Sequence, residues 1–309
     1  MIAGRKLRAK TGRAPWVRFG LGDVLVFIVL GLVLIATLFP FYNAVVLSFN
    51  DGRDALTGGI YFWPRAFTLA NYEDVFQNAT IGQAALVTVV RTVLGTVLTL
   101  LVTSLFSYAV SKKFLHFRRF YITLTLVAMY ASGGLIPTFL LIRDVGLYNN
   151  PLVYLLPMAF SPFYAHVFIA YFRGLPESLN ESAKIDGAND WIIYFRIILP
   201  LSTAVLAAIG LFVAVNHWNS WYDNLLYMKN PTFDTLSYQF IKMINSQNAL
   251  EQLLSQGAGG SLEMARGMGK TSTSVQLATM VVTVTPIMMI YPFLQKYFVK
   301  GVMIGSIKG

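Results

Sequence analysis

The chain has 309 residues, of which 56% are hydrophobic and 12% charged, with a formal net charge of +10. Soluble globular domains carry about 25% charged residues, so this composition excludes an ordinary water-facing surface and points to a membrane protein. Cysteine is absent, which excludes a disulfide framework, a thiolate zinc site and a cysteine nucleophile, and the three histidines (His116, His166, His217) are too scattered to suggest a metal site.

A bilayer span needs about 20 mostly apolar residues, and six stretches qualify, so an all-α fold of six transmembrane helices is predicted. A basic N-terminal segment, 1–22, carries Arg5, Lys6, Arg8, Lys10, Arg13 and Arg18. The first span, 23–45, is too long for a cleaved signal peptide, and Pro40-Phe41-Tyr42 stands where small cleavage-site residues would be needed. An external segment at about 47–83 follows, with Trp63-Pro64 and a short helix from Asn71 whose first turn holds Glu73 and Asp74, where acids suit the helix dipole. The second span, 84–111, contains Arg91 and ends at Lys112, Lys113, Arg118 and Arg119. The third, 120–142, leads through a short external turn, 143–150, to the fourth, 151–171, which contains His166. A cytoplasmic loop, 173–196, precedes the fifth span, 197–217. The longest external loop, 219–274, carries the flexible run Gly257-Ala258-Gly259-Gly260-Ser261, suited to a loop tip. The sixth span, 275–298, ends in a tail, 299–309, with Lys300 and Lys308. The transmembrane domain is thus 23–298.

Lysine and arginine crowd the N-terminal segment, the loops after spans two and four, and the tail. By the positive-inside rule these face the cytoplasm, so both termini lie inside and the protein spans the inner membrane several times. The net positive charge is then a topology signal rather than a nucleic-acid footprint.

The loop after span four reads Arg173-Gly174-Leu175-Pro176-Glu177-Ser178-Leu179-Asn180-Glu181-Ser182-Ala183-Lys184-Ile185-Asp186-Gly187-Ala188 and runs through Trp191 and Phe195 to Ile197-Ile198-Leu199-Pro200. Pro176 favours a helix start, Gly187 can end it, and Ser182, Ala183, Gly187 and Ala188 are small enough for close approach of another surface. A helix resting on lipid is the alternative, but Glu177, Glu181, Asp186 and Asp190 outnumber the three basic residues, which does not suit an anionic leaflet. A protein partner is expected.

Glu181, Ser182, Ala183, Gly187, Ile197, Leu199 and Pro200 stand at the spacing of the signature loop of ABC importer permeases, which this segment resembles; Ser182 replaces the family's first alanine. The resemblance implies a type I permease fold in which Glu181–Gly187, with Asp186 and Ala188, form a coupling helix seated on a separate ATPase. The tail Gly301-Val302-Met303-Ile304-Gly305-Ser306-Ile307-Lys308-Gly309, the run His217-Trp218-Asn219-Ser220-Trp221-Tyr222-Asp223, Phe62-Trp63-Pro64 and Asn71-Tyr72 are similar to the second permease of maltose-type carbohydrate importers. Overall likeness is closest to oligosaccharide importers, including those for alginate or pectin fragments. The partners so implied are a homologous second permease, an ATPase dimer that binds the ATP and magnesium, an extracytoplasmic substrate-binding protein reached by the loop at Gly257, Gly259, Gly260 and Ser261, and membrane lipid. The chain would hold no cofactor and catalyse no covalent step.

Gly269-Lys270-Thr271 resembles part of a phosphate-binding loop, but Met264 occupies the position of its first glycine. Arg91 either snorkels to the outer interface or faces the translocation path. His166 is an interhelical hydrogen-bonding residue or a substrate contact. Trp218, Trp221 and Tyr222 suit an aromatic belt or, with Asn219 and Asp223, sugar recognition. Pro40, Pro137, Pro157, Pro162 and Pro286 are expected to break or kink spans. Two rivals remain. One is an ABC permease for amino acids or peptides. The other is an ion-coupled secondary transporter, disfavoured because Asp23, at the edge of span one, is the sole acid in the predicted spans.

Overall fold

The computed structural model describes residues 21–55, 57–131, 133–255 and 273–306. Among them the chain is almost wholly helical, with one isolated antiparallel bridge between Asn50 and Phe67. The basic N-terminal cluster, the Gly257–Ser261 run, the Gly269-Lys270-Thr271 triplet and residues 307–309 lie outside the described residues.

Three helices are long and apolar enough to cross a bilayer unaided: α1 (Leu21–Ser48) and two introduced below. α1 keeps Pro40 inside a continuous helix. Its first two-thirds are exposed, and it becomes buried only towards Ala44, Val46 and Ser48. The segment predicted to be external then folds on itself through α2 (Gly52–Ala55) and α3 (Ala70–Gln77). Buried Asn50 and Asn71 organise it. Asn71 Nδ2 donates to the carbonyls of Ser48 at 2.9 Å and Asn50 at 2.8 Å, while Asn50 Oδ1 accepts from Ala66 N at 2.8 Å.

α4 (Ala79–Ser111) is the second long helix, about 50 Å at 1.5 Å per residue. Its buried residues include Ala84, Thr88, Arg91, Gly95, Thr99, Thr103 and Ser107, steps of three or four that place small and polar groups on one face. This face packs along α11 and α7, defined below. Small residues allow backbones to approach, and hydroxyls supply the polar partners that hydrocarbon lacks.

The predicted third span is two helices, α5 (Arg118–Tyr130) and α6 (Leu135–Asp144), parted at Gly133-Gly134, where Gly134 has φ +79°. The predicted fourth span is broken further. Residues Pro151–Tyr154 form a 3-10 turn, 155–161 are irregular, and α7 (Pro162–Arg173) has 12 residues, about 18 Å against a hydrocarbon core of about 30 Å. Proline explains the break: Pro157 has no N–H to donate, and Pro162 disfavours helix at Ser161 while suiting the first position of α7. Irregular backbone at membrane depth must be satisfied by protein. α4 does this, since Thr99 Oγ1 donates to Met158 O at 2.7 Å and Thr103 Oγ1 accepts from Ser161 N at 3.3 Å.

After α8 (Ser178–Ile185), the chain enters α9 (Asp190–Ile193), a π-helical turn over Tyr194–Ile198, and α10 (Leu199–Leu201), then bends by 80° into α11 (Thr203–Asn219). Pro200 removes one helical hydrogen bond, which accounts for irregularity here. The described part of the predicted external loop, 219–255, is largely helical, with α12 (Tyr222–Tyr227), a 3-10 turn at Pro231–Phe233 and α13 (Leu236–Ser255). α13 packs on α4 and on α14 (Thr273–Ser306), the third long helix, which contains Pro286 and Pro292 without interruption and carries residues 301–306 of the tail. Counting each bent pair, α5 with α6 and the 190–201 helix with α11, as one span gives up to five crossings among the described residues.

α4 and α11 approach most closely at Gly95, where a Cβ would stand 2.4 Å from the ring of fully buried His217. Gly95→Ala is expected to lower stability by about 1–3 kcal/mol through overpacking. Gly31→Ala on α1, where a Cβ meets nothing within 4 Å, is expected to leave it unchanged or slightly raised. Thermal unfolding of the two variants in detergent checks the pair.

Candidate functional site

α4 carries a polar assembly towards each end. Towards its N-terminal end, the Arg91 side chain is 1% exposed, its guanidinium engages the Asp223 carboxylate, and Nη1 reaches Oδ1 at 3.2 Å. Nη1 also donates to the Ser220 carbonyl at 3.2 Å, and the guanidinium carbon lies 4.5 Å from the centre of the Tyr154 ring. Asp223 accepts in addition from Ser220 Oγ and its own neighbour Asn224 N, both at 2.9 Å. Arg91 is therefore a buried, paired cation. Removing one member of such a pair costs about 3–5 kcal/mol, because the other charge is left without a partner.

The segment held by Asp223 continues into a second buried network. Asn224 Nδ2 donates to Asp234 Oδ1 at 3.1 Å, Gln239 Nε2 to Oδ2 at 2.9 Å, and Lys242 Nζ lies 2.5 Å from Oδ2. Thr88 on α4 receives Leu236 N at 2.8 Å, and Tyr154 Oη donates to Phe233 O at 2.9 Å. Trp218 is also committed internally, its Nε1 donating to Thr283 O on α14 at 2.9 Å. Asn219, Trp221 and Tyr222 remain exposed, the last two rings meeting edge-on at 5.7 Å. His166 hydrogen-bonds Thr125 across α5 and α7, Nε2 to Oγ1 at 3.1 Å.

At the C-terminal end of α4 sits α8. It ends in a Schellman motif: Gly187 N donates to Lys184 O at 3.0 Å and Ala188 N to Ala183 O at 2.9 Å, with Gly187 at φ +79°. The small residues divide by face. Ala183 is buried in a cluster with Tyr108, Phe172, Ile193, Tyr194 and Ile198, and Ala188 packs against it, so both serve close packing within the chain. Glu181, Ser182, Asp186 and Gly187 face outwards, as does Ile185, which is 86% exposed. Beyond them Trp191 and Phe195 stack with centroids 6.2 Å apart and are also exposed.

Two lysines after α4 clamp α8 in place. Lys112 Nζ donates to Asn180 Oδ1 at 2.6 Å, and the same oxygen receives Tyr108 Oη at 3.3 Å. Lys113 Nζ meets Glu177 Oε2 at 2.7 Å, and that hydrogen bond holds the Glu177 carboxyl below the usual carboxylate range.

No family model matches the chain. It is 33% identical over 93% of its length to the polygalacturonan/rhamnogalacturonan transport system permease protein YtcP of Bacillus subtilis, covering 98% of that protein. It is 26% identical over 88% of its length to the arabinooligosaccharides transport system permease protein AraQ of Halalkalibacterium halodurans, covering 91% of that protein. The fold superposes with a TM-score of 0.80, at 26% identity, on a chain from the crystal structure of a bacterial ABC transporter involved in the import of the acidic polysaccharide alginate, covering 91% of this chain and 99% of that one. The chain belongs to the permease subunits of carbohydrate ABC importers. As such it is a transport subunit, not an enzyme, and the secondary-transporter and amino-acid or peptide readings fall away.

Several residues that shape this permease carry no motif. Lys112 and Lys113 read in sequence only as topology signals, and nothing marked Asn180 and Glu177 as their respective partners. Arg91 and Asp223 were each visible as candidates, but their pairing spans 132 positions. Asn180→Ala is expected to lower the unfolding temperature of the permease, since it strips a half-buried lysine and Tyr108 of a common acceptor. Glu177→Gln, in an exposed pair, should lower that temperature only slightly, by less than Asn180→Ala does. Because the Glu177 pKa is depressed on folding, its small contribution is complete at neutral pH and fades as pH falls through the depressed value. Melting curves of the two variants at neutral and acidic pH test both statements.

Proposed function

We propose that this permease forms half of the translocation pathway of an importer for acidic oligosaccharides, with a homologous permease as the other half. Six passages are formed by α1, α4, α5 with α6, the 151–173 segment, the 190–219 segment and α14, and both termini are cytoplasmic. The basic residues at the N-terminus, after α4, after α7 and in the tail support this orientation. The substrate class follows from the relatives' described cargoes, a polygalacturonan and the acidic polysaccharide alginate.

The observation that carries the coupling role is the exposed outer face of α8, tied to the bundle through buried Ala183, clamped by Lys112 and Lys113, and ended by Gly187 at positive φ. A helix so fixed transmits displacement to α4 and to the Tyr194 turn instead of absorbing it. In our reading Glu181, Ser182, Asp186 and Gly187 contact the ATPase, which binds ATP and magnesium. ATP-driven closure of the ATPase dimer then moves α8 and turns the passages from inward- to outward-facing. At the other membrane face, an extracytoplasmic binding protein delivers the sugar. The loop containing Gly257, Gly259, Gly260 and Ser261 reaches towards it, while exposed Trp221 and Asn219 offer a stacking face and a hydrogen-bonding amide.

Gly187 tests the reading. Its Cβ would meet nothing within 4 Å inside this chain, so Gly187→Glu adds about 1 kcal/mol of backbone strain but no internal clash, and the permease should insert normally. Against a docked ATPase the same side chain buries an unpaired charge. Substrate-stimulated ATP hydrolysis and uptake of an acidic oligosaccharide by the reconstituted importer are expected to fall at least tenfold. Normal hydrolysis and uptake would refute the coupling assignment.

A further inference from the structure

Two adjoining cavities lie at the Lys112 end of α4. One, about 310 Å³, is walled mainly by Leu105, Ala109, Leu115, Trp191 and Tyr194, with the Asp190 carboxylate at its edge, where Lys184 lies 3.6 Å away. The other, about 510 Å³, is lined by five basic side chains, Lys112, Lys113, Arg118, Arg173 and Lys184, against two acidic ones, Glu177 and Glu181. Tyr108, Lys112 and Phe114 line both, so an apolar chamber opens beside a cationic one.

The charges of the second cavity are not balanced internally. Lys113 pairs with Glu177, and Lys184 lies 3.6 Å from Asp190. Lys112, Arg118 and Arg173 form no salt bridge among the described residues: Lys112 is bonded to Asn180 and feels Asp190 and Glu177 only at longer range, and Arg118 Nε donates to the Val110 carbonyl at 3.0 Å. Arg118 and Arg173 are near enough for their like charges to oppose one another. Two guanidinium groups and an ammonium around one cavity suit an anion with several acceptor oxygens, as a phosphodiester has. A protein carboxylate would answer the cationic half alone. The apolar half beside it, at the end of a membrane helix, requires a ligand that is itself amphipathic.

We propose that the paired cavities bind an anionic phospholipid, its phosphate held by Lys112, Arg118 and Arg173 and part of one acyl chain lying beside Leu105 and Trp191. The site needs the chain to be embedded in a bilayer and shares Glu181 with the proposed ATPase contact, so lipid retention and ATPase retention have to be read separately. Its position beside the clamp on α8 would make the importer sensitive to the charge of its lipids.

Retention of lipid by the assembled, delipidated importer, counted by native mass spectrometry, decides the matter. Phosphatidylglycerol should be retained in preference to phosphatidylcholine. Each of Arg118→Gln and Arg173→Gln should weaken its retention roughly fivefold, the effect of one basic residue near a membrane surface. Leu105→Trp, which fills the apolar chamber without changing charge, should also reduce it. Equal retention of the two lipids, or retention unaffected by the arginine variants, would overturn the proposal. Complete displacement of phosphatidylglycerol by millimolar inorganic phosphate would assign the site to free anions instead. Loss of the ATPase from the arginine variants with lipid retention intact would assign the cluster to the ATPase interface.

Discussion

A charge placed inside a membrane helix has to be neutralised by the protein, and in this permease that requirement organises one whole side of the molecule. Arg91 lies twelve residues into α4, with its side chain almost completely buried. Hydrocarbon offers it nothing, and an unpaired cation there is costly. Asp223, the Ser220 carbonyl and the face of Tyr154 converge on it. Satisfying Arg91 therefore draws the chain after α11 down onto α4. Once that segment is down, Thr88 and Tyr154 complete the seal at Leu236 and Phe233, and Asp234 gathers Asn224, Gln239 and Lys242.

The same helix meets an opposite need at its other end. There Lys112 and Lys113 stand where the chain leaves the hydrophobic region, and they bind Asn180 and Glu177 at the start of α8. Between the two ends, Thr99 and Thr103 of α4 satisfy backbone groups of the irregular stretch before α7. α4 thus joins the folded segment after α11 to the clamped loop over about 30 Å, the rise of the twenty residue steps from Arg91 to Ser111. A permease needs such an element if an event at α8 is to be felt where substrate passes.

Much of this was legible in sequence, for physical reasons that differ by element. Apolar length announced α1, α4 and α14 directly. The loop at 173–196 was legible because a glycine at a helix end and small residues at fixed spacing are local requirements, and Gly187 does adopt positive φ. The burial of Ala183 was not, since smallness suits close approach equally well to the chain's own core or to another surface. Pro157 and Pro162 hinted that span four is broken, but hydropathy averages over such breaks. The helical character of 219–255 was hidden because some of its polar groups are matched by partners far away in sequence, among them the Asp223 carboxylate by Arg91 and the Leu236 N–H by Thr88. A reading that sees one segment at a time scores such residues as external loop. His166 and Trp218, each open to two interpretations in sequence, make hydrogen bonds to Thr125 and to the Thr283 carbonyl.

The dependence of the outer segment on one buried ion pair is open to a direct measurement: a double-mutant cycle at Arg91 and Asp223, read as unfolding free energy of the purified permease. Arg91→Leu and Asp223→Leu should each destabilise by about 3–5 kcal/mol, while the double variant, which leaves no buried charge behind, should recover a large part of that loss. If the two losses simply add, the side chains are independent, and the pair does not hold the segment onto α4.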